Sequence, residues 1–194
     1  RYIRESGLDR PALIGHSMGG TIGMMLASRH PDVVGRVMVV DMMPSMAPFF
    51  GPAGETPDGL RGIADQARAQ ILEAPPGTGF IAQLFEGMTL NTQMQPVLMR
   101  LARESDRRTV ADAFHELVVT DLRPELSRIT APVTVLYAQP PNVQVPADQF
   151  DTSMAGLYAH APNVTLVRIE DSRHFIQWDQ PAPFIAEIDA FMTR

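Results

Sequence analysis

The chain has 194 residues, of which 45% are hydrophobic and 20% charged, and its formal net charge is -6 at pH 7. This length and balance are typical of one globular domain with room for a small insertion. The negative charge disfavours a nucleic-acid or anionic-membrane surface, because both partners require clustered positive potential. The sequence contains no cysteine, which excludes disulfides, thiolate catalysis and cysteine metal sites.

The sequence shows neither a membrane-span pattern nor a targeting pattern. No apolar run approaches the roughly 18 residues that are typical of a membrane span. The first residues, Arg1 to Gly7, include no initiator methionine and do not resemble a signal peptide. They predict the last turn of a helix that is closed by Gly7. We therefore expect a cytoplasmic protein without membrane partners.

A strand, a helix and a second strand follow in close succession. Residues 11–16 are an apolar run that predicts a short buried strand. Helical spacing begins at Thr21 and stops before Pro31. Residues 33–40 are rich in β-branched side chains and predict a second buried strand, which ends at Asp41. The short crossover implies that the two strands are parallel and that their connection is right-handed.

The middle of the chain, residues 44–108, predicts a helical insertion between two sheet strands. It begins with an apolar stretch rich in Met and Phe, followed by a Gly/Pro linker at 51–59. Helical spacing then covers 60–73 and 79–104, with an interruption around Pro75. Such an insertion suits a lid over an apolar site, and the same side chains also suit simple packing of the helices against each other.

The last part of the chain returns to alternating strands and helices. The predicted elements are helices at 109–119 and 147–160, strands at 131–137 and 163–169, and a last helix that begins near Pro181 with Asp179 as its cap. Residues 1–43 and 109–194 together therefore predict an α/β core. Its sheet should be mostly parallel, with helices on both faces.

Between the first strand and the first helix the sequence reads GHSMGG, which contains G-x-S-x-G. In this context the pattern indicates a nucleophilic serine, Ser17, held in a strained strand-to-helix turn. Gly15 and Gly19 should leave room for the turn, and Gly20 should let the helix approach the strand. The backbone N–H of Met18 would point at an oxyanion formed by attack of Ser17. The alternative is an ordinary glycine-rich turn in which Ser17 only caps the helix.

A base that activates Ser17 must come from one of the histidines. The chain has five of them, at His16, His30, His115, His160 and His174. We expect the first four to be structural, because His16 should point away from its neighbour Ser17 and the others fall on predicted helices or helix ends. His174 follows the last strand, and the carboxyl ends of parallel strands meet at one sheet edge. It is therefore the candidate base, with a locally bonded loop histidine as the alternative.

The acid that orients the base is expected to be Asp41, at the end of the second strand. The loop after the third strand competes for this role, but it has no carboxylate before Asp148. Asp148 and Asp151 lie where a helix should begin, and acids are favourable there in any case. Asp171 is too close to His174 along the chain to orient it easily. The alternative role of Asp41 is a strand-end turn cap.

These features resemble the α/β-hydrolase superfamily over essentially the whole chain. The order serine, acid, histidine matches that family, as do GHSMGG, the helical insertion, the segment 123–126 and the ending at 172–175. Many members carry the acid after the strand that corresponds to residues 133–137. With Asp41 as its acid, one strand earlier, this sequence is similar to the subgroup that includes certain esterases and the haloalkane dehalogenases. Dehalogenases attack with an aspartate, so Ser17 speaks against that activity. The resemblance places the family's base at His174.

The resemblance also implies that the usual family domain begins earlier than this chain. By that comparison about 80 residues, with about four strands, precede the position of Arg1, and a loop among them provides a second oxyanion N–H. The strand at 11–16 should then be an exposed hydrophobic sheet edge. We expect a partner chain or a second copy to cover it, unless the chain is a fragment.

The sequence thus predicts a serine hydrolase that cleaves small to medium apolar carboxylic esters through an acyl-enzyme on Ser17. Amides, thioesters and carbon–carbon bonds stay open as substrates. The alternative is an acyl-transferring or non-catalytic protein of the same fold that needs a partner to complete its site. No metal and no nucleotide cofactor are expected, because the histidines and carboxylates lack ligand spacing and no second glycine-rich phosphate loop occurs.

Overall fold

The computed structural model describes residues 1–141 and 143–193, without the side chains of residues 52–55. The chain divides into two compact units. The first unit combines Arg1–Pro44 with Leu122–Arg194, and the second unit is Ser45–Asp121.

Strands and helices alternate along the first unit, whereas the second unit is helical. The strands are β1 (Ala12–His16), β2 (Arg36–Val40), β3 (Val133–Tyr137) and β4 (Val164–Arg168). The helices are α1 (Tyr2–Glu5), α2 (Met18–Arg29), α3 (Pro57–Glu73), α4 (Gly79–Glu86), α5 (Gln95–Glu104), α6 (Arg107–Val119), α7 (Ala147–Leu157), α8 (Ile176–Asp179) and α9 (Pro181–Thr193), with 3-10 helices at Ala47–Glu55 and Arg123–Arg128. None of the helices in the described ranges has the length and hydropathy that a membrane crossing requires.

The sheet of the first unit is parallel and runs in the order β1-β2-β3-β4 among the described residues. The predicted α/β class is therefore confirmed, and each of these strands falls within a predicted apolar run. β2 is shorter than its run of 33–40, because Val33 and Val34 are buried without joining the ladder. Four of the five residues of β2 and all five of β3 are buried, as expected for parallel strands covered on both faces.

The hydrophobic core of the first unit lies where the sheet meets the C-terminal helices. Its buried members are Met38, Val40, Leu136, Ala138, Ile169, Ile176 and Phe191. They come from β2, β3, the segments that follow β3 and β4, and helices α8 and α9. This packing fixes the carboxyl ends of the strands, which is the edge where the candidate residues lie.

The turn between β1 and α2 requires glycine at two positions. A Cβ on Gly15 would run into the backbone carbonyl of Gly19, and a Cβ on Gly20 would lie 2.8 Å from Val39 Cγ1. The expected close approach of helix and strand at Gly20 is thus confirmed. The expectation for Gly19 was wrong, because a Cβ there would meet nothing within 4 Å. Residue 19 is close to Gly15 through its backbone atoms, so a side chain at position 15 would clash and a side chain at position 19 would not.

The C-terminal end of α2 is linked by an ion pair to the 3-10 helix Arg123–Arg128, which precedes β3. Arg29 donates two hydrogen bonds of 2.9 Å, from Nε and Nη2, to the two carboxylate oxygens of Glu125. The guanidinium of Arg29 holds the pKa of Glu125 below its usual value, so the carboxylate stays charged at neutral pH. A bidentate pair of this kind fixes orientation more firmly than a single ion pair. It therefore holds the helix that begins beside Ser17.

β1 lies at one end of the strand order. It pairs with β2, and within residues 1–141 and 143–193 it has no second strand neighbour. Ile14, in the middle of β1, is 45% exposed. The expectation that a partner chain or a second copy covers this edge stays a prediction.

The second unit is a small helical body with its own core. α3 packs along α6, and a core forms from Ala47, Leu60, Ala64 and Val118. An ion pair of 2.7 Å between Arg68 Nε and Asp112 Oδ1 joins the same two helices. The sequence placed the end of the insertion at residue 108, whereas the second unit extends to Asp121 and includes α6. The reason is that α6 buries its apolar face against α3.

The helical pattern at 79–104 is divided between two helices. α4 ends before Gly87, and α5 begins at Gln95 with a proline in its first turn. A glycine near a helix end and a proline at a helix start are typical of such breaks. The helical spacing predicted over 79–104 therefore corresponds to two helices with a break between them. The role of this unit as a lid stays a prediction.

The two glycines of the turn provide a matched pair for a stability measurement. We expect Gly15→Ala to lower the free energy of unfolding by about 3 kcal/mol, because its Cβ has no room against rigid backbone. Gly19→Ala should change it by no more than about 1 kcal/mol, in the stabilising direction, because the site is open and helical. Urea unfolding of both variants beside the wild type measures the difference. Equal effects at the two positions would contradict the geometry of the turn.

Candidate active site

Ser17 occupies a strained turn between β1 and α2. Its backbone has φ 55° and ψ -125°, in a region that costs a non-glycine residue about 1–3 kcal/mol. Its N–H donates to the carbonyl oxygen of Val40 at 2.9 Å, which holds the turn against the end of β2. The strained conformation expected at this serine is therefore present, and the side chain is half-buried.

The Ser17 hydroxyl and the Met18 N–H have no hydrogen-bond partner among the described residues. Within the described residues the structure gives Ser17 Oγ no hydrogen bond, and a bond from such a hydroxyl to its base often tightens only when substrate binds. Met18 is the first residue of α2, so its backbone N–H has no acceptor inside the helix. This N–H is free to face an anionic oxygen at the helix N-terminus.

Asp41 is held by hydrogen bonds on both carboxylate oxygens. Oδ1 accepts from the Ala138 backbone N–H at 2.9 Å, and Oδ2 accepts from His174 Nδ1 at 2.8 Å. Its own backbone has φ 50°, and its N–H donates to the carbonyl of Leu136 at 2.7 Å. The carboxylate therefore has one orientation, and that orientation faces His174.

His174 takes a definite tautomer from this contact. Because a carboxylate only accepts, Nδ1 of His174 must carry the proton, and in the neutral ring Nε2 keeps a lone pair. The side chains of His174 and Asp41 are 20% and 17% exposed, so water screens their attraction only in part. In this pair the Asp41 carboxylate accepts from Nδ1 and so fixes the His174 tautomer in which Nε2 can act as a base.

The loop that carries His174 is supported from the helices that follow it. Asp179 Oδ2 accepts from the Arg173 N–H at 2.9 Å, and Gln180 Nε2 donates to the carbonyl of Asp171 at 2.8 Å. Asp179 is predicted from the sequence to cap the last helix. That helix does begin at Pro181, and the bond from Arg173 shows that the Asp179 carboxylate supports the loop.

The competing carboxylates have other partners. Asp148 Oδ1 accepts from the Gln149 N–H at 2.9 Å, at the start of α7. Asp151 accepts from the Tyr137 hydroxyl at 2.8 Å and pairs with Arg168 at 3.0 Å. Neither contact involves His174. Among the described carboxylates, Asp41 is the one that bonds to this histidine.

His16, expected to be structural and to point away from Ser17, contacts the loop that carries His174. Its Nε2 lies 2.8 Å from the carbonyl oxygen of His174, and the two imidazole rings are 4.5 Å apart. Burial, and next the charge of His174, lower the pKa of His16 to about 4. Its place at the carboxyl end of β1 is the signal in the sequence that points to this contact.

The remaining histidines lie elsewhere, as expected. His30 and His160 are exposed at the ends of helices. His115 belongs to the second unit, where its Nε2 contacts Asp65 Oδ1 at 3.1 Å. Among the described residues, no three or more histidine and carboxylate side chains form a cluster suited to a metal ion.

Tyr158 is a buried residue beside the Asp41 segment, and its contact was missed in the sequence. Its hydroxyl donates to the carbonyl oxygen of Met42 at 2.7 Å, directly after Asp41. Burial first, and the charge of Asp41 second, raise the pKa of this phenol far above its usual value. Tyr158 therefore stays neutral and keeps its proton in this bond.

Comparison with known proteins gives one family and a consistent fold. The model of the alpha/beta hydrolase family matches residues 1–187. An sn-1-specific diacylglycerol lipase from mouse is 42% identical over 76 residues, which are 38% of this chain and 22% of the lipase. A 3-oxoadipate enol-lactonase from Acinetobacter baylyi is 27% identical over 204 residues, covering 99% of this chain and 71% of the lactonase.

The solved structures agree on the fold. A hydrolase from Pseudomonas aeruginosa superposes with a TM-score of 0.77 at 19% identity, covering 100% of this chain and 68% of that chain. At this identity the similarity establishes the fold alone. The chain thus spans only part of the length of these relatives, and the alignment with the mouse lipase covers about a fifth of that protein.

The buried Tyr158 hydroxyl provides a test of how the acid is supported. Tyr158→Phe should lower the free energy of unfolding by about 1–2 kcal/mol, because the Met42 carbonyl loses its buried donor. Chemical denaturation of the variant and the wild type measures this difference. The matched control is Tyr2→Phe, which removes the hydroxyl of a tyrosine that is 76% exposed and should leave the stability unchanged. A Tyr158→Phe variant as stable as the wild type would show that the Met42 carbonyl does not depend on this bond.

Proposed function

The chain belongs to the alpha/beta hydrolase family, and from this premise we propose that it is a serine hydrolase that cleaves small to medium apolar carboxylic esters. The observation that carries the proposal is the hydrogen bond of 2.8 Å between His174 Nδ1 and Asp41 Oδ2. This bond prepares a base at the same sheet edge that presents Ser17 in a strained turn. A serine, a base and an orienting acid are the groups that acyl transfer to a hydroxyl requires.

In the proposed first half-reaction, Ser17 Oγ attacks the acyl carbon of the ester. Nε2 of His174 accepts the hydroxyl proton, and the carboxylate of Asp41 stabilises the imidazolium that results. The Met18 N–H donates to the oxyanion of the tetrahedral intermediate. His174 then returns the proton to the leaving alcohol as the carbon–oxygen bond breaks, which leaves the acyl group on Ser17.

In the second half-reaction, water takes the place of the alcohol. His174 removes a proton from the water as it attacks the acyl-enzyme, and a second tetrahedral intermediate forms on Ser17. The proton passes from His174 to Ser17 Oγ when this intermediate collapses. The carboxylic acid leaves and the free serine is restored.

Two findings support an ester as the substrate. The Acinetobacter baylyi relative is an enol-lactonase, and a lactone is a cyclic ester. The mouse relative is a diacylglycerol lipase.

The alternative is a protein of the same fold that transfers acyl groups or only binds a ligand. Its support is that β1 has one strand neighbour among the described residues, which leaves its other edge open for pairing. A second oxyanion donor would then come from another chain, and the same chain would cover β1. An intact base and acid argue for catalysis, because a binding protein has no need of an oriented imidazole.

The nucleophile is tested by hydrolysis of p-nitrophenyl acetate and p-nitrophenyl butyrate. We expect turnover by the 194-residue chain and its loss to background in Ser17→Ala, because this variant has no hydroxyl to acylate. Circular dichroism should show that the variant is folded. Equal turnover by both proteins would contradict Ser17 as the nucleophile.

The acid is tested by exchanging carboxylates for amides. Asp41→Asn should lower kcat about 10⁴-fold, because an amide N–H facing Nδ1 favours the wrong tautomer of His174. Asp148→Asn is the matched control and should leave kcat unchanged, since Asp148 bonds within its own helix. The reverse pattern would assign the acid to the loop after β3.

A further inference from the structure

His16 and His174 form a direct connection between the two outer strands of the sheet. His16 ends β1 and His174 follows β4, and in the strand order these two strands are three spacings apart, or about 14 Å. The His174 loop nevertheless reaches back far enough for its carbonyl oxygen to lie 2.8 Å from His16 Nε2. Strand pairing alone does not explain this approach.

The chemistry of the contact fixes the state of His16. Its partner is a carbonyl oxygen, which only accepts, so Nε2 of His16 must carry the proton and donate it. The neutral ring is sufficient for this bond. A neutral His16 also spares His174 a second positive charge at 4.5 Å when His174 becomes protonated.

Aromatic packing holds both rings in place. Phe175 lies 4.9 Å from the His16 ring and 5.5 Å from the His174 ring. Trp178 stacks on Phe175 in turn, with 4.2 Å between the ring centres and an angle of 8° between the planes. The His174 loop is therefore held by a hydrogen bond to its backbone and by aromatic contacts to its side chains.

We propose that His16 is a positioning residue, which holds the backbone of His174 so that its ring stays against Asp41, at the sheet edge that carries Ser17. His16 precedes Ser17 in the chain, so one peptide places both the nucleophile and the support of its base. The Nε2 proton of His16 is engaged by the His174 carbonyl and is therefore not available for proton transfer. The proposal rests on the proposed serine-hydrolase function.

The test compares four forms of the full chain with p-nitrophenyl butyrate as substrate. His16→Phe keeps a ring for packing and removes the donor, whereas His16→Gln keeps an N–H donor of similar reach. The matched control is His160→Gln, which changes an exposed histidine. We expect kcat of His16→Phe to fall roughly 10–100-fold with KM little changed, because a base displaced by about 1 Å loses activity on this scale. His16→Gln should recover most of the loss, and His160→Gln should match the wild type.

A second readout does not require turnover. Proton NMR reports the strongly downfield proton on His174 Nδ1, which bonds to Asp41. This resonance should broaden or shift in His16→Phe and persist in His16→Gln. In the wild type, ¹⁵N NMR should find His16 protonated on Nε2, and this measurement decides the proposal even if His16→Phe does not fold.

The two proposals fail in different ways. Wild-type kcat and an unchanged His174 resonance in folded His16→Phe would overturn the positioning role, as would equal losses in the Phe and Gln variants or a wild-type His16 protonated on Nδ1. These outcomes leave the hydrolase intact. A wild type that hydrolyses no ester, but whose His174 resonance responds to His16→Phe, would contradict the proposed function and support the positioning role.

Discussion

The hydrogen bond between Asp41 and His174 is the contact on which the rest of the candidate site depends. It joins residues that follow β2 and β4, two strands that are separated by β3. β3 contributes at its own end, because the Ala138 N–H binds the second carboxylate oxygen. Three strand ends thus fix one carboxylate, and the carboxylate fixes one histidine tautomer. A looser acid would leave Nε2 protonated part of the time and unable to accept a proton.

Several residues with strained backbone conformations lie at the carboxyl ends of the strands, where the candidate site is. Ser17 follows β1 with φ 55°, Asp41 follows β2 with φ 50°, and Asp171 follows β4 with φ 51°. Each such residue costs about 1–3 kcal/mol, and packing elsewhere must offset this cost. The core beneath the edge is suited to do so, because Val40, Leu136 and Ile176 are almost completely buried. A fourth described residue with positive φ, Arg10, precedes β1 and lies apart from this group. Strained residues clustered beside a serine, a carboxylate and a histidine are typical of functional sites.

Much of this arrangement could be predicted from local patterns in the sequence. Apolar runs revealed the strands, and the rule that parallel strands share a carboxyl edge placed Ser17, Asp41 and His174 at that edge. Contacts that depend on three-dimensional packing were missed. The contact from His16 to the His174 carbonyl and the bond from Tyr158 to Met42 each join residues more than 100 positions apart. The end of the insertion was misplaced for the same reason, since only packing against α3 assigns α6 to the second unit.

Covalent labelling of the serine tests whether His174 and Asp41 activate Ser17. A fluorophosphonate reacts with a serine only when a base removes its proton, and peptide mapping by mass spectrometry locates the modified residue. We expect one adduct on the chain, at Ser17, formed rapidly by the wild type and very slowly by Asp41→Asn. A folded wild type without an adduct, or an adduct on another residue, would contradict this activation.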